Sequence, residues 1–318
     1  MGLNVECVLC TYNGERYIYE QLESIRKQSY KVSKLIISDD GSTDKTVDII
    51  LGWIRKTNII TELYVNDEPL GPKKNFEKAF MLSKGEYVMF ADQDDVWLPD
   101  KVAISLEKIR DLEKKYGKDM PCLVHSDLAV VDENLKMIHE SFLENQGLEH
   151  IEDKERQIKC LLVQNYVTGC TIIVNNALRV KSLPFPKNII MHDYWLALVA
   201  SLSGRIAFIN KPTLLYRQHA TNTIGAVTYL SIFNIKKIFD AKKMLNRVDA
   251  TIKQLRAVCE YKDGELLLYH DYIRKYLISV EEKNYLQVVL SGVRKQGILI
   301  NIVFQFYLIL YLLKGGKV

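Results

Sequence analysis

Apolar and polar positions along the first two thirds of the chain switch repeatedly between two spacings. Residues 5–10 form an unbroken apolar run that ends at Thr11-Tyr12-Asn13-Gly14, a turn signal. Residues 16–28 then take a helical spacing, with Ile18, Leu22 and Ile25 on one face. The apolar run 35–38 is closed by Asp39-Asp40-Gly41-Ser42; residues 42–44 read as a helix start, continued by Val47, Ile50 and Ile54. A third strand is expected over 62–65, a third helix over 75–83 and a further strand over 87–91. Leu98-Pro99-Asp100 opens a charged helix to about 115, and 123–131 reads as a strand. Residues 140–156 are polar and predict a mobile loop, 167–175 a strand, 193–202 a helix, and 206–209 and 213–216 two short strands. From about residue 229 the pattern is helical, and no internal repeat or low-complexity segment interrupts the chain.

Strands alternating with helices predict an α/β fold with a mostly parallel sheet. Ligands of such sheets bind beyond the carboxyl ends of the strands. Three polar clusters fall at such ends: 11–13, 39–44 and 92–95. In the last, Asp92, Asp94 and Asp95 sit within four positions, directly after an apolar run. Carboxylates this close repel unless a cation lies among them, and hard oxygen ligands suit Mg²⁺ or Mn²⁺. The alternative for any one cluster is a solvated acidic turn. Recurrence at three strand ends favours an active site.

The chain has 318 residues, 48% hydrophobic and 26% charged, which suits one large or two modest globular domains. The net charge of +4 is uneven: residues 229–318 carry +7 and the rest −3. The basic residues of the tail are interleaved with aliphatic ones, which favours a membrane surface over nucleic acid as partner, and no nucleic-acid recognition motif is present. Residues 298–313 carry no charge and are flanked by Arg294, Lys295, Lys314 and Lys317. Sixteen residues fall short of the ~20 that span a bilayer, so the segment reads as a helix in the membrane interface, or as one docked on the body or on a second subunit of a homo-oligomer. No secretory signal opens the chain, which predicts a cytoplasmic enzyme with reduced thiols, peripheral at the inner face of the membrane. Cys7-x-x-Cys10 invites a redox or zinc reading, but positions three apart in a strand face opposite ways and no second pair has ligand spacing; buried hydrophobes are expected instead.

Thr11-Tyr12-Asn13-Gly14, Asp39-Asp40-Gly41-Ser42-Thr43-Asp44 and Asp92-Gln93-Asp94-Asp95-Val96-Trp97 together resemble the inverting family 2 glycosyltransferases over about residues 3–225. Within that family the chain is most similar to bacterial polysaccharide rhamnosyltransferases, on Asp-Gln-Asp-Asp-Val-Trp-Leu-Pro-Asp-Lys at 92–101, Val-Thr-Gly-Cys-Thr at 167–171, Met-His-Asp-Tyr-Trp at 191–195 and Tyr-Arg-Gln-His at 216–219. The resemblance implies a GT-A fold, a nucleotide-sugar-binding mixed sheet flanked by helices, over residues 1–225. Residues 226–318 would be a basic helical extension whose apolar terminal helix associates with membrane.

It also implies roles at matching positions. Tyr12 would stack on the pyrimidine, Thr11 and Asn13 would line the same pocket, and Asp40 would accept from the base N–H or, alternatively, cap a turn. Lys73 and Asn75 would approach the donor, Asp92 the ribose, and Arg217 the diphosphate, or else a surface ion pair. Asp94 would ligate a divalent cation, Mg²⁺ or Mn²⁺, with His219 as a second ligand or a diphosphate contact. Asp193 would be the base that deprotonates the acceptor hydroxyl, with a helix N-cap as its alternative role and His192 next in line as base. Asp95, Trp97, His192 and Trp195 would contact sugar or acceptor, unless Asp95 caps a turn and the two tryptophans are helix core.

The implied reaction is inverting transfer of a sugar, L-rhamnose from dTDP-L-rhamnose, to a lipid-linked saccharide in cell-surface polysaccharide synthesis. A UDP-galactose or UDP-glucose donor is the alternative enzyme reading. A non-catalytic partner of another transferase is the alternative of a different class.

Overall fold

The computed structural model describes residues 3–219, 240–267 and 271–315. The expected 225/226 domain boundary and Lys317 lie outside these residues. The chain clusters into two compact units: Met1–Phe142, Val167–Pro184 and Gly204–Ala226 form one, and Leu143–Tyr166, Phe185–Ser203 and Val227–Val318 the other.

The first unit is built on one nine-stranded mixed sheet. Its parallel part comprises β1 (Val5–Thr11), β2 (Lys34–Asp39), β3 (Ile60–Val65) and β4 (Tyr87–Asp92), in the order β3-β2-β1-β4. Helices α1 (Ile18–Arg26), α2 (Thr46–Ile54) and α3 (Pro72–Leu82) connect them. Every residue of β1 is buried, as expected of a central parallel strand read as a continuous apolar run. The order reverses at β1: the chain first adds β2 and β3 on one side, then crosses back to place β4 on the other. Ligands of open α/β sheets bind at such a reversal. Register fixes what lies there, since Thr11 pairs with Asp39 and Cys10 with Asp92.

The rest of the sheet departs from the parallel expectation. Beyond β4 come β8 (Ile173–Asn175), antiparallel to β4, then β6 (Cys122–Val131), β9 (Arg205–Arg217) and β5 (Val96–Trp97), with β7 (Met137–His139) beside β6. Strands expected at 206–209 and 213–216 are one long β9, parallel to β6, with the register shifting around Pro212. Proline gives the ladder no donor, and the bulge carries the strand past it. The expected strand 167–175 is mostly not a strand: Gly169–Thr171 is a 3-10 turn and only three residues pair. Helices α4 (Lys101–Tyr116) and α7 (Asn176–Ser182) complete this unit.

Its core joins Val5, Cys7 and Leu9 of β1 to Leu22 and Ile25 of α1, Met89 of β4 and Val102 and Ile109 of α4. Buried Gln28 ties α1 to the segment before α4, donating to the Leu98 carbonyl at 2.8 Å and accepting from the Val102 N–H at 3.1 Å. Cys7 and Cys10 are buried free thiols, both pushed up by burial, as small hydrophobes would be.

The second unit is helical. Residues 140–156, expected to be loop, contain α5 (Phe142–Gln146) and lead into α6 (Lys154–Leu161), capped by Asp153 accepting from the Arg156 N–H. It continues with α8 (His192–Ser203), α9 (Ala241–Glu260), α10 (Asp271–Glu281), α11 (Tyr285–Leu290) and α12 (Ile298–Leu313). Among the described residues no helix is long and apolar enough to cross a membrane.

One close backbone approach in the first unit gives a stability test. A Cβ at Gly204 would lie 1.8 Å from the Pro121 carbonyl oxygen, an acceptor already bound by the Arg205 N–H at 2.9 Å. Both atoms are backbone, so relief requires moving the start of β9. Gly204→Ala should lower unfolding free energy by about 2–3 kcal/mol in urea titration, within the range for overpacking. An unchanged midpoint would show that β9 adapts freely.

Candidate active site

At the reversal point of the sheet, two loops are locked to each other by their own polar groups. Buried Asp39 accepts from Thr11 Oγ1 at 2.6 Å and from the Ser42 N–H and hydroxyl at 2.8 and 2.6 Å. Asn13 sits in the left-handed region at φ 49°; its N–H donates to Ser42 Oγ at 2.8 Å and its Oδ1 accepts from the Thr43 N–H at 2.9 Å. Asp44 accepts from the Thr46 N–H and hydroxyl, and Thr46 Oγ1 in turn accepts from the Gly14 N–H at 2.7 Å. Thr11 and Asn13 therefore shape the pocket edge from within it.

Tyr12, 49% exposed, is the aromatic surface these loops present. Gln93 holds it in a reciprocal pair: Gln93 Oε1 accepts from the Tyr12 N–H at 2.8 Å and Gln93 Nε2 donates to the Tyr12 carbonyl at 3.0 Å. Gly14 leaves room for that amide, because a Cβ there would lie 2.3 Å from Gln93 Oε1. Gln93 was not singled out in the sequence, although it lies between Asp92 and Asp94.

Asp40 is 5% exposed and accepts from Asn66 Nδ2, the Leu70 N–H and the Gly71 N–H at 2.8, 2.7 and 2.8 Å. It ties the loop after β3 to the end of β2, and Oδ2, with one of these donors, keeps acceptor capacity for a ligand. Asn75 is corrected from a donor contact to an interior brace. It is 2% exposed, donates to the Ser38 carbonyl at 2.8 Å, and accepts from Ser38 Oγ and Asn66 Nδ2. Lys73 is half-buried, and burial followed by the charge of Lys74 lowers its ammonium below the ordinary range.

The carboxylates of 92–95 separate into two environments. Asp92 and Asp94 are half-buried; Asp95 is fully buried. Asp94 Oδ2 faces His219 Nε2 at 2.8 Å. Adjacent ligands on an octahedral ion with ~2.1 Å bonds lie about 3 Å apart, so this oxygen and imidazole nitrogen match two ligands of one divalent cation. A second cluster, Asp92, Asp95 and Cys170, has ligand atoms within 4.8 Å of one another. It suits such a cation less well. Burial, then the charges of Asp94 and Asp92, pushes the Asp95 carboxyl well up, and burial pushes the Cys170 thiol up too, so both favour their neutral forms. Asp95 is thereby corrected from a sugar or acceptor contact to a buried brace, accepting from the Arg217 N–H at 3.4 Å.

Arg217 is corrected from a diphosphate ligand to a positioning residue. Its guanidinium is buried and donates to the Asp94 carbonyl at 3.0 Å, the Glu133 carbonyl at 2.6 Å and the Glu20 carboxylate at 2.5 Å. It also lies 4.7 Å from the Tyr17 ring centroid, and that ring is 4.8 Å from the His219 ring. Trp97 is core, 3% exposed, with the Lys101 ammonium 5.1 Å from its ring. Fully buried Lys101 donates to Thr213 Oγ1 at 3.2 Å, and burial pushes its ammonium down to about 8.

In the second unit, Asp193 lies half-buried in the first turn of α8. Its Oδ1 accepts from the Tyr194 N–H at 2.7 Å and its Oδ2 from Asn165 Nδ2 at 3.2 Å. Trp195 is fully buried, edge-on to Tyr261 at 4.8 Å, and His192 is 5% exposed. The expected sugar or acceptor contacts of Trp97 and Trp195 are corrected accordingly, because rings that form the core offer a ligand no surface, and His192 presents less surface than its neighbour Asp193.

Burial pushes the His192 imidazole down to about 3, so the folded protein keeps it neutral where an unfolded chain, near 6.5, takes a proton. The unfolded state binds more protons between these values, so stability falls as pH drops from about 6.5 toward 3, by on the order of 3–5 kcal/mol over the window. His192→Gln should flatten this part of the stability–pH curve in urea titrations between pH 7 and 4; a parallel curve for the variant would reject the assignment.

Residues 6–120 match the family model described as Glycosyl transferase family 2. The chain is 29% identical to the dTDP-rhamnosyl transferase RfbG of Shigella flexneri over 232 residues, covering 69% of this chain and 74% of that protein. In fold it is similar to Staphylococcus aureus TarS 1–349 in complex with UDP, with a TM-score of 0.54 at 16% identity over 98% of this chain and 92% of that one. It is also similar to the mannosyltransferase PcManGT of Pyrobaculum calidifontis in complex with GDP-Man and Mn²⁺, with a TM-score of 0.52 at 16% identity over 98% and 86% of the two chains. The mixed sheet and its reversal point are similar to those of GT-A glycosyltransferase structures, and residues 6–120 form a domain that matches the glycosyl transferase family 2 model.

Proposed function

We propose that this protein is a metal-dependent inverting rhamnosyltransferase, moving L-rhamnose from dTDP-L-rhamnose to a lipid-linked saccharide at the inner face of the cytoplasmic membrane. The observation that carries the reading is the Asp94–His219 pair at the same strand ends as Tyr12, Asp40 and Asp92. Similarity to the RfbG rhamnosyltransferase over most of this chain supports the sugar.

Tyr12 stacks on the base, Asp40 accepts from it, and Asp92 meets the ribose. Asp94 and His219 would hold Mg²⁺ or Mn²⁺, whose charge would offset that of the departing diphosphate. The Mn²⁺ complex of the structurally similar mannosyltransferase is consistent with that cation. Lys73, its cation made less favourable by partial burial, gains stability from an anion beside it. Asp193 takes the proton of the acceptor hydroxyl as the oxygen attacks the anomeric carbon; the bond to the diphosphate breaks on the opposite face, and a β-linked donor gives an α-L-rhamnoside. The Asn165 amide and Tyr194 N–H fix the orientation of this carboxylate. Asp193 is more exposed than His192, which supports the carboxylate over the imidazole as the base.

The test is nucleotide release and sugar transfer against dTDP-L-rhamnose, UDP-glucose and UDP-galactose, with Mg²⁺, Mn²⁺ or EDTA and a lipid-linked acceptor. We expect dTDP-L-rhamnose to be used and EDTA to abolish turnover. Asp94→Asn should lose stimulation by metal. Asp193→Asn should cut transfer by roughly 10²–10⁴-fold with nucleotide binding retained. Use of a UDP-hexose alone would overturn the sugar assignment, and unaltered transfer by Asp193→Asn would overturn the base. Nucleotide binding without turnover of any donor, acceptor present, would identify a non-catalytic partner.

A further inference from the structure

A second feature lies wholly within the helical unit. A cavity of about 680 Å³ opens where α12 begins. Arg156, Arg294 and Lys295 line it, with Glu149 as the acid among the lining residues. Glu149 reaches Arg156 only at 3.7 Å, and Arg294 and Lys295 have no carboxylate partner among the described residues. The cavity therefore carries a net positive charge, three cations against one carboxylate.

It is also a built site. Gln296 clamps the two lining segments together: its Oε1 accepts from the Glu149 N–H at 2.8 Å and its Nε2 donates to the Glu149 carbonyl at 3.0 Å. The Gln296 N–H donates to Gln164 Oε1, and the Lys295 N–H to Asn301 Oδ1 at 3.0 Å. The Lys295 ammonium lies 4.8 Å from the Phe304 ring, and burial pushes it down to about 8, so an anion beside it would restore a charge that the fold disfavours. Gly297, the N-cap of α12, contributes no side-chain cap, so the positive end of a sixteen-residue helix faces the same region.

The apolar surface beside this charge is continuous. Ile298, Leu299, Ile302, Phe306 and Leu313 are each more than half exposed and fall within about 100° of one another on α12, at 3.6 residues per turn. Phe304, Tyr307, Leu308, Tyr311 and Leu312 take the buried face. A bare stripe of this kind, about 24 Å long by helix rise, is too short to span a bilayer and suits its interface.

We propose that the cavity binds the phosphate head of an anionic lipid while the exposed stripe of α12 lies among the hydrocarbon tails. A cationic pocket at one end of an apolar stripe matches the two chemistries of such a lipid. A soluble anion has no use for the stripe, and a second protein chain has no use for the pocket. The proposal extends the membrane part of the reading above and is independent of its donor.

The test is co-sedimentation of the full chain with phosphatidylcholine vesicles and with vesicles also containing phosphatidylglycerol. Binding should be confined largely to the anionic vesicles. Arg294→Gln, an exposed position, should weaken it roughly fivefold, and Arg294→Gln with Lys295→Gln by more than tenfold. Phe306→Ser should weaken it independently, and nucleotide-sugar hydrolysis by the same variants should be unchanged, which separates this site from the catalytic one. Equal binding to neutral vesicles, or unaltered binding by the double variant, would overturn the headgroup site. Binding of inorganic phosphate without vesicle binding would assign the cavity to a soluble anion. A dimer abolished by Phe306→Ser, again without vesicle binding, would assign the stripe to a second copy. Either result overturns the proposal.

Discussion

The geometry of the candidate metal pair depends on one buried cation. Arg217 gathers three segments far apart in sequence: Glu20 on α1, the backbone of Asp94 after β4 and the backbone of Glu133 after β6. Arginine suits this task, because its planar fork supplies several donors at fixed angles and stays charged when enclosed. Glu20 provides the compensating charge and the two carbonyls take the remaining directions. Without that set of acceptors, a buried guanidinium would be strongly unfavourable. Asp94 is held from its own carbonyl, and His219, two residues beyond Arg217, is delivered to it by the same anchor.

A graded environment across residues 92–95 follows. The pairing of β5 with β9, Val96 to Leu215 and Trp97 to Leu214, draws Asp95 inward while Asp94 stays at the surface of the cluster. Adjacent carboxylates thus differ in kind: one keeps some exposure and lies opposite an imidazole, the other is enclosed near a thiol and Lys101 and driven toward its neutral form. Proximity in sequence gave all three aspartates the same candidate chemistry, and the sheet divides them.

The parallel half of the fold was legible because β1, β2 and β4 are buried on both faces and bounded by turn residues, so run length and punctuation coincide with them; β3, at the edge, is the exposed exception. The antiparallel half was less so. Residues 169–171 are Gly-Cys-Thr, where Gly169 is the one mark of the 3-10 turn within a run that otherwise reads as strand. The continuity of β9 depends on a bulge at Pro212 that only the partner strand reveals. At the site, motif spacing located Tyr12, Asp40, Asp92 and Asp94 at converging strand ends. It could not distinguish a polar side chain facing a ligand from one facing the fold. Asn75, Arg217 and His192 have the chemistry of ligand-binding groups, and their partners lie 9 to 197 residues away or in surrounding core. Gln93 was overlooked for the converse reason: an amide between two aspartates draws no attention until its backbone partner at Tyr12, 81 positions away, is known.

The reciprocal pair between Gln93 and Tyr12 links two sites that look independent on paper. The amide occupies the volume a Cβ at position 14 would need, so the smallest residue in one loop is the counterpart of a long one in another. Positions 14 and 93 therefore form a single design unit. A library that varies these two loops one at a time would discard combinations that work only together, so the two positions are best changed in the same variant.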